Sequence, residues 1–342
     1  MANTTVPAEL INTATPLGRR NIIINGDFNI YQRTQQATGV GSGATYPTAD
    51  RWVLNGSTDG RLTMTAGTEA APPESNVTVS CKLDCTTTDT SIGASEYCLL
   101  QQRIEGQNLQ HVKKGTSGAK QLTASFWVKS ETGTFTYVLE LYDADNTRQV
   151  SKSFSVTSSW SKVELTFPAD TTGAFGNDNN TSMYFQIWLH GGSNYTSGTL
   201  NETWNSVTDA NRAPGISSFF SSTSNELYIT AIQLEVGDVA TEFEYLTKQE
   251  ASMLCYRYYY KMTNQHDVMY GMNYNGNTAD KGFVTYSLPV PMNHTPTTTE
   301  TVGGGSHQAN YHTLERLAFY INLTNGDASS GWVDYFDAEA EL

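Results

Sequence analysis

Charged side chains are scarce, at 16% of 342 residues, and basic ones are scarcer: 20 Lys and Arg stand against 34 Asp and Glu, a formal net charge of −14. A chain this acidic is repelled by phosphate backbones, so nucleic acid is not an expected partner. No apolar run approaches the roughly 18 residues that span a bilayer, so no membrane insertion is expected. The opening Met1–Leu10 has no basic region followed by an apolar core, and no secretory signal is read there. The expectation is synthesis in a cytoplasm, with release by lysis or assembly. Cysteine is limited to Cys81, Cys85, Cys98 and Cys255. Cys81 and Cys85 share one face of a strand-like segment, but a zinc site would need a second pair or nearby histidines. Buried free thiols are the favoured reading. The six histidines (His111, His190, His266, His294, His307, His312) show no HExxH or other ligand spacing. GxSxG and Walker patterns are missing as well. Strong helix formers are few, which argues against a helical fold.

What is abundant is β material. Aromatics make up 11%, with 19 Tyr, among many Thr, Ser, Asn and Gly. Short alternating segments recur: Arg61 to Thr65, Val77 to Cys85, Ser95 to Ile104, Gln121 to Lys129, Phe135 to Tyr142, Gln149 to Val156, Lys162 to Phe167, Met183 to Leu189 and Leu227 to Val236. Turn residues separate them, as in Asp143-Ala144-Asp145-Asn146. Regular short strands with turn chemistry predict an all-β fold whose first domain is a jelly-roll β-sandwich. Residues 34–48 read as a Gly-rich loop, 108–114 as a short helix and 191–224 as a long polar excursion. Thr247 with Glu250 makes a capping box, predicting a linker helix over 247–262. The expected organisation is an N-terminal arm at 1–20 that docks on a neighbouring subunit, a jelly roll at 21–246, the linker helix, and a smaller sandwich-like β domain at 263–342.

Catalysis finds little support. Asp143-x-Asp145-Asn146 starts like a calcium loop, but Arg148 stands where its Gly belongs and no Glu closes it, so a hairpin turn is expected. Asp337, Glu339 and Glu341 read as a solvated strand face; a glycosidase needs two carboxylates across a cleft. Binding is the better case, since sugar rings stack on aromatic faces and hydroxyls need amides beside them. The candidates lie in polar loops: Tyr195, Trp204, Asn194 and Asn205 in the first domain, and Tyr270, Tyr274, Asn275 and Tyr311 in the second. Each could equally pack its own loop. Trp52, Phe126 and Trp127 fall in strands and are expected in the core. Arg33 or Arg51 is expected to bridge strand ends to Asp50 or Asp27.

Several blocks then form an ordered set: Asn21-Ile22-Ile23-Ile24-Asn25-Gly26-Asp27-Phe28-Asn29-Ile30-Tyr31-Gln32-Arg33, Ala49-Asp50-Arg51-Trp52, Gln102-Arg103-Ile104-Glu105-Gly106, Ser125-Phe126-Trp127-Val128-Lys129, Ile229 through Gly237, Ala240 through Glu244, Cys255 through Tyr260, and Ala338 through Leu342. Their order resembles a recurrent domain of phage tail-fibre and virion structural proteins. The resemblance implies a virion location, contact with other virion proteins, a homotrimer and contact with a host-surface polysaccharide. No coiled-coil heptads support a trimer independently. A purely architectural head or tail decoration or adaptor role is the alternative, and a polysaccharide depolymerase the third. The first domain also resembles carbohydrate-binding jelly rolls, in which a structural calcium often joins the two chain ends. Here Thr230-Ala231 stands where those modules carry aspartates, so no cofactor is expected.

Overall fold

The structure, a computed structural model, describes residues 19–272, 281–303, 306–322 and 328–342. Residues 1–18 of the expected arm at 1–20 and the candidates Tyr274 and Asn275 lie outside them. The chain divides into two compact units, Met1–Leu246 and Thr247–Leu342.

The first unit holds strands β1 (Gln36–Thr45), β2 (Val53–Ala70), β3 (Val79–Thr87), β4 (Tyr97–Glu105), β5 (Leu122–Ser130), β6 (Phe135–Asp143), β7 (Arg148–Val156), β8 (Ser161–Phe167), β9 (Thr181–Gly191), β10 (Asn205–Ser206) and β11 (Glu226–Val236), with a one-turn helix α1 at Ser193–Thr196. It is a jelly-roll β-sandwich. The long β2 belongs to both layers: Val53–Ser57 pairs with β4, while Arg61–Ala70 pairs with β3. One layer runs β10-β7-β6-β9-β4-β2 and the other β2-β3-β11-β5-β8. Inward residues of both layers, among them Leu100, Leu139, Leu141 and Phe185 from one and Leu83, Phe126, Ile229 and Leu234 from the other, form a single core. The four cysteines are free and buried, and burial pushes the Cys98 thiol up to about 12.

Within the first unit, the blocks at 21–33, 49–52, 102–106, 229–237 and 240–244 meet in space. Ile24 exchanges hydrogen bonds with the Gln102 amide, at 2.8 Å each way. Trp52 Nε1 donates to the Asn25 carbonyl at 2.9 Å, and the Asn25 amide donates to the carbonyls of Ile30 and Asp50. Asn21 Oδ1 accepts from Leu234, and both Glu244 carboxylate oxygens accept main-chain N–H groups, from Arg20 and Asn21. The opening segment is thereby sewn to the closing strand. At the join, the Ile232 N–H donates to the Gly26 carbonyl at 2.9 Å, and a Cβ on Gly26 would sit 2.0 Å from the Ile232 carbonyl oxygen. Gly26→Ala is therefore expected to destabilise the first unit by about 1–3 kcal/mol, the usual cost of overpacking, read as a lower urea midpoint at unchanged slope.

Three expectations for the first unit need correction. Residues 36–45 form β1, paired with β2 across two register shifts, rather than a loop; Gly39, Gly41 and Gly43 sit at positive φ, which keeps the bulged ladder open to them. Trp127 is half-buried, not core, because Leu122, Ala124, Phe126 and Val128 take the inward phase of β5 and leave it outside. The short helix near 108–114 is a 3₁₀ segment over Gly106–Val112. Arg33 reaches Asp50 at 4.0 Å, whereas the buried Arg51 donates to the Arg103 carbonyl at 2.6 Å.

The second unit begins with α2 (Lys248–Tyr256), which carries the capping box between Thr247 and Glu250. The helix is shorter than 247–262: Tyr259 and Tyr260 open a strand, as aromatic residues favour. Strands β12 (Tyr259–Met272), β13 (Lys281–Ser287), β14 (Thr297–Gly303), β15 (Ser306–His312), β16 (Arg316–Asn322) and β17 (Ala328–Glu339) form two three-stranded sheets, β12-β17-β14 and β13-β16-β15. Met292, Leu317, Phe319, Val333, Phe336, Ala338 and Ala340 fill the core. Asp337 is less solvated than expected, accepting from the hydroxyls of Tyr259 and Tyr335.

Candidate functional site: an aromatic groove on the outer sheet face

The alternation that sends Leu100 and Phe185 inward sends the other phase of the same strands outward. On β4 that phase is Tyr97, Leu99, Gln101 and Arg103, on β9 Tyr184, Gln186 and Trp188, and on β6 Val138, Glu140 and Tyr142. Register aligns them in rungs across three neighbouring strands. Arg103, Tyr184 and Tyr142 form one rung, Gln101, Gln186 and Glu140 the next, and Leu99, Trp188 and Val138 the third. Asn55 on β2 extends the third rung beside Leu99. All of these side chains except the fully buried Val138 and Glu140, together with Tyr195 and Arg212 from the excursion after β9, line a groove of about 320 Å³, near the lower end of ligand-sized clefts.

The floor is a chain of hydrogen bonds. Gln101 Nε2 donates to Gln186 Oε1 at 2.7 Å, and Gln186 Nε2 donates to Glu140 Oε2 at 2.6 Å. Trp188 Nε1 donates to the same oxygen at 2.7 Å. Arg212 then clamps the fully buried Glu140 carboxylate, Nε to Oε1 at 3.0 Å and Nη2 to Oε2 at 3.1 Å. Burial alone would disfavour the Arg212 charge, but the Glu140 carboxylate more than restores it and the pKa rises. The guanidinium in turn lies over the rings of Trp188 at 5.0 Å and Tyr142 at 5.2 Å.

The walls are aromatic. Tyr142 and Tyr184 meet edge to face at 5.6 Å, and Tyr97 meets Tyr195 the same way at 5.8 Å. Arg103 sits over Tyr184 at 5.9 Å. All four tyrosines are half-buried, so each keeps ring surface open to the groove. Burial pushes the Tyr142 and Tyr195 phenols up, which leaves them as neutral donors. Such a surface offers stacking faces to apolar ring patches and amide and guanidinium donors to hydroxyls. Both Glu140 oxygens accept hydrogen bonds beneath the rings.

Of the residues singled out from sequence, Tyr195 lies in the groove. The neighbouring Asn194 is exposed, with its main-chain N–H on the Ala94 carbonyl. Trp204 lies elsewhere, half-buried, donating to the Pro168 carbonyl at 2.9 Å and stacked under Lys114. Asn205 is exposed and bonds locally to Thr203. Tyr270 and Tyr311 are strand residues of the second unit, opposite Ser330 and Ala318. Apart from Tyr195, Arg212 and Asn55, the groove residues were open to sequence reasoning only as the outward phase of β4, β6 and β9.

No protein-family model matches the chain, and no curated protein matches it. Among solved structures the chain is similar to a CBM4 protein, with TM-score 0.32, 10% identity, and 62% of this chain and 98% of that one covered. It is also similar to TmCBM61 solved in complex with beta-1,4-galactotriose, with TM-score 0.31, 12% identity, and 64% and 100% covered. A third likeness is to the enzymatically active domain of bacteriophage CBA120 tailspike protein 4, with TM-score 0.29, 10% identity and 64% of this chain covered, where the chain spans 21% of that protein.

Proposed function

We propose that the chain is a non-catalytic structural subunit of a phage particle, a tail-fibre or surface-fibre protein, whose first unit binds a host-surface glycan in the groove between Tyr97, Tyr142, Tyr184 and Tyr195. The groove carries the reading. Half-buried aromatic faces stand beside an ordered ladder of amides and a guanidinium, the combination a polyhydroxylated ring requires. The virion location, the docking role of residues 1–20 and assembly as a homotrimer rest on the ordered sequence blocks that resemble virion proteins.

Binding of the purified protein to an array of host-surface polysaccharides tests the glycan half. Tyr142→Ala and Tyr184→Ala are expected to weaken the selected glycan at least about 10-fold each, with melting temperature little changed, because truncating a central aromatic anchor removes on the order of 2 kcal/mol of binding. Array silence, or full binding by both variants, would leave the architectural role standing instead. Falling polymer viscosity on incubation would point to a depolymerase. Labelling assembled particles with an antibody to the chain tests the virion half.

A further inference from the structure

Away from the groove, three ligand-type side chains converge at the end of β9. Asp89 follows β3, Glu96 immediately precedes β4, and His190 is the penultimate residue of β9, paired with Cys98. One ligand atom from each lies within 4.8 Å of the other two. His190 is fully buried. Its Nδ1 is 2.8 Å from Ser218 Oγ, which itself accepts the Phe220 N–H at 3.2 Å. Its Nε2 has no hydrogen-bond partner, yet it points at two carboxylates: Asp89 Oδ2 at 3.6 Å and Glu96 Oε2 at 3.9 Å.

Those separations are too long for hydrogen bonds. They suit a shared ion: two ligands about 2.1 Å from a tetrahedral zinc stand about 3.4 Å apart. The supporting contacts are those of a ligand set. Thr58 Oγ1 donates to Asp89 Oδ2 at 2.6 Å, and the Gly93 N–H donates to Glu96 Oε2 at 2.7 Å. Ser218 orients the imidazole through its other nitrogen, as partners of metal-bound histidines do. Two carboxylates and a neutral imidazole balance one divalent cation. The imidazole favours zinc over the oxygen-seeking calcium and magnesium.

We propose that Asp89, Glu96 and His190 form a zinc site with a fourth position open to water. The loop it would pin is already tied to the groove. The Gly192 N–H donates to the Glu96 carbonyl at 2.8 Å and the Asn194 N–H to the Ala94 carbonyl at 2.9 Å, flanking Tyr97 and Tyr195. A bound ion therefore anchors one end of the groove, whatever the groove holds.

The full chain, stripped with chelator and dialysed against zinc, is expected to retain one zinc per chain by elemental analysis and to melt at a higher temperature with zinc than without. Glu96→Gln and His190→Gln are expected to weaken zinc at least about 100-fold, more than loss of a supporting contact costs, and to abolish the melting shift. Glu96 is at the rim, with its side chain 21% exposed, so Glu96→Gln decides the matter if the buried His190→Gln fails to fold. Failure to retain zinc, equal zinc binding by wild type and Glu96→Gln, or a melting shift with calcium or magnesium but not zinc would each overturn the site. The first of these outcomes would leave Asp89 and Glu96 as a carboxyl pair sharing one proton.

Discussion

Glu140→Ala is expected to cost the first unit about 3–5 kcal/mol and to abolish glycan binding together with it. The magnitude follows from what the carboxylate holds. It is fully buried and receives Arg212 at two positions, Gln186 and Trp188. Deleting it leaves a guanidinium whose side chain is only 16% exposed with the exposed Asp209, 3.6 Å away, in place of a buried partner, and leaves a buried amide and a buried indole N–H without their acceptor. Breaking one half of a buried ion pair costs about 3–5 kcal/mol, far more than the pair contributes over an apolar substitute. Against a total stability of about 5–15 kcal/mol, that is a large fraction. Glu140→Gln keeps an acceptor oxygen for the indole and should cost about 1–3 kcal/mol, near that of one weakened charged hydrogen bond. Urea unfolding with constant slope distinguishes the two variants. Equal midpoints for Glu140→Ala and wild type would show that the Arg212 clamp holds nothing in place.

Glu140 also marks the limit of what the sequence made legible. The alternation of Phe135 to Tyr142 is plain from residue order, and it places Leu139 and Leu141 in the core, where they are found. The capping box at Thr247 was readable for the same reason: it is local, four residues long and chemically specific. The groove is not local. Gln101 meets Gln186 across a sequence separation of 85, and Glu140 meets Arg212 across 72. Nothing in either segment announces which strand will lie beside it, and of the loop candidates among the described residues only Tyr195 coincides with the groove. His190 illustrates the same point. Asp89 and Glu96 share the connection between β3 and β4, but His190 reaches them only through the pairing of β4 with β9, so no spacing pattern announces the set. The Gly-rich β1 was obscured by composition. Glycine weakens strand propensity, and only pairing with β2 overrides it.

The second large effect is expected at Lys114. Its ammonium is buried and stands 2.5 Å from Asp143 Oδ2 and 3.0 Å from Asp170 Oδ2, and it also donates to the carbonyls of Thr172 and Gly173 at 2.8 Å each. The rings of Phe175 and Trp204 lie 5.2 Å away. Lys114→Met preserves the aliphatic stem and removes the charge between two buried carboxylates, so a loss of about 3–5 kcal/mol at neutral pH is expected. Acid should shrink that loss. Burial tends to raise the Asp170 carboxyl, but hydrogen bonds from Arg148 and Lys114 overcome it and hold its pKa below the ordinary carboxylate value. A group depressed in the folded state contributes stability that is complete above its unfolded pKa, about 3.9 for aspartate, and is lost as pH falls through the folded value. Wild type should therefore lose this contribution on acidification below about pH 4, whereas Lys114→Met has less of it to lose. The stability gap between wild type and variant, measured by denaturant unfolding at neutral pH and at about pH 3, should narrow in acid. A gap of constant size would mean that the loss comes from the hydrogen bonds of Lys114 to the carbonyls of Thr172 and Gly173, which do not titrate, rather than from its pairing with Asp170.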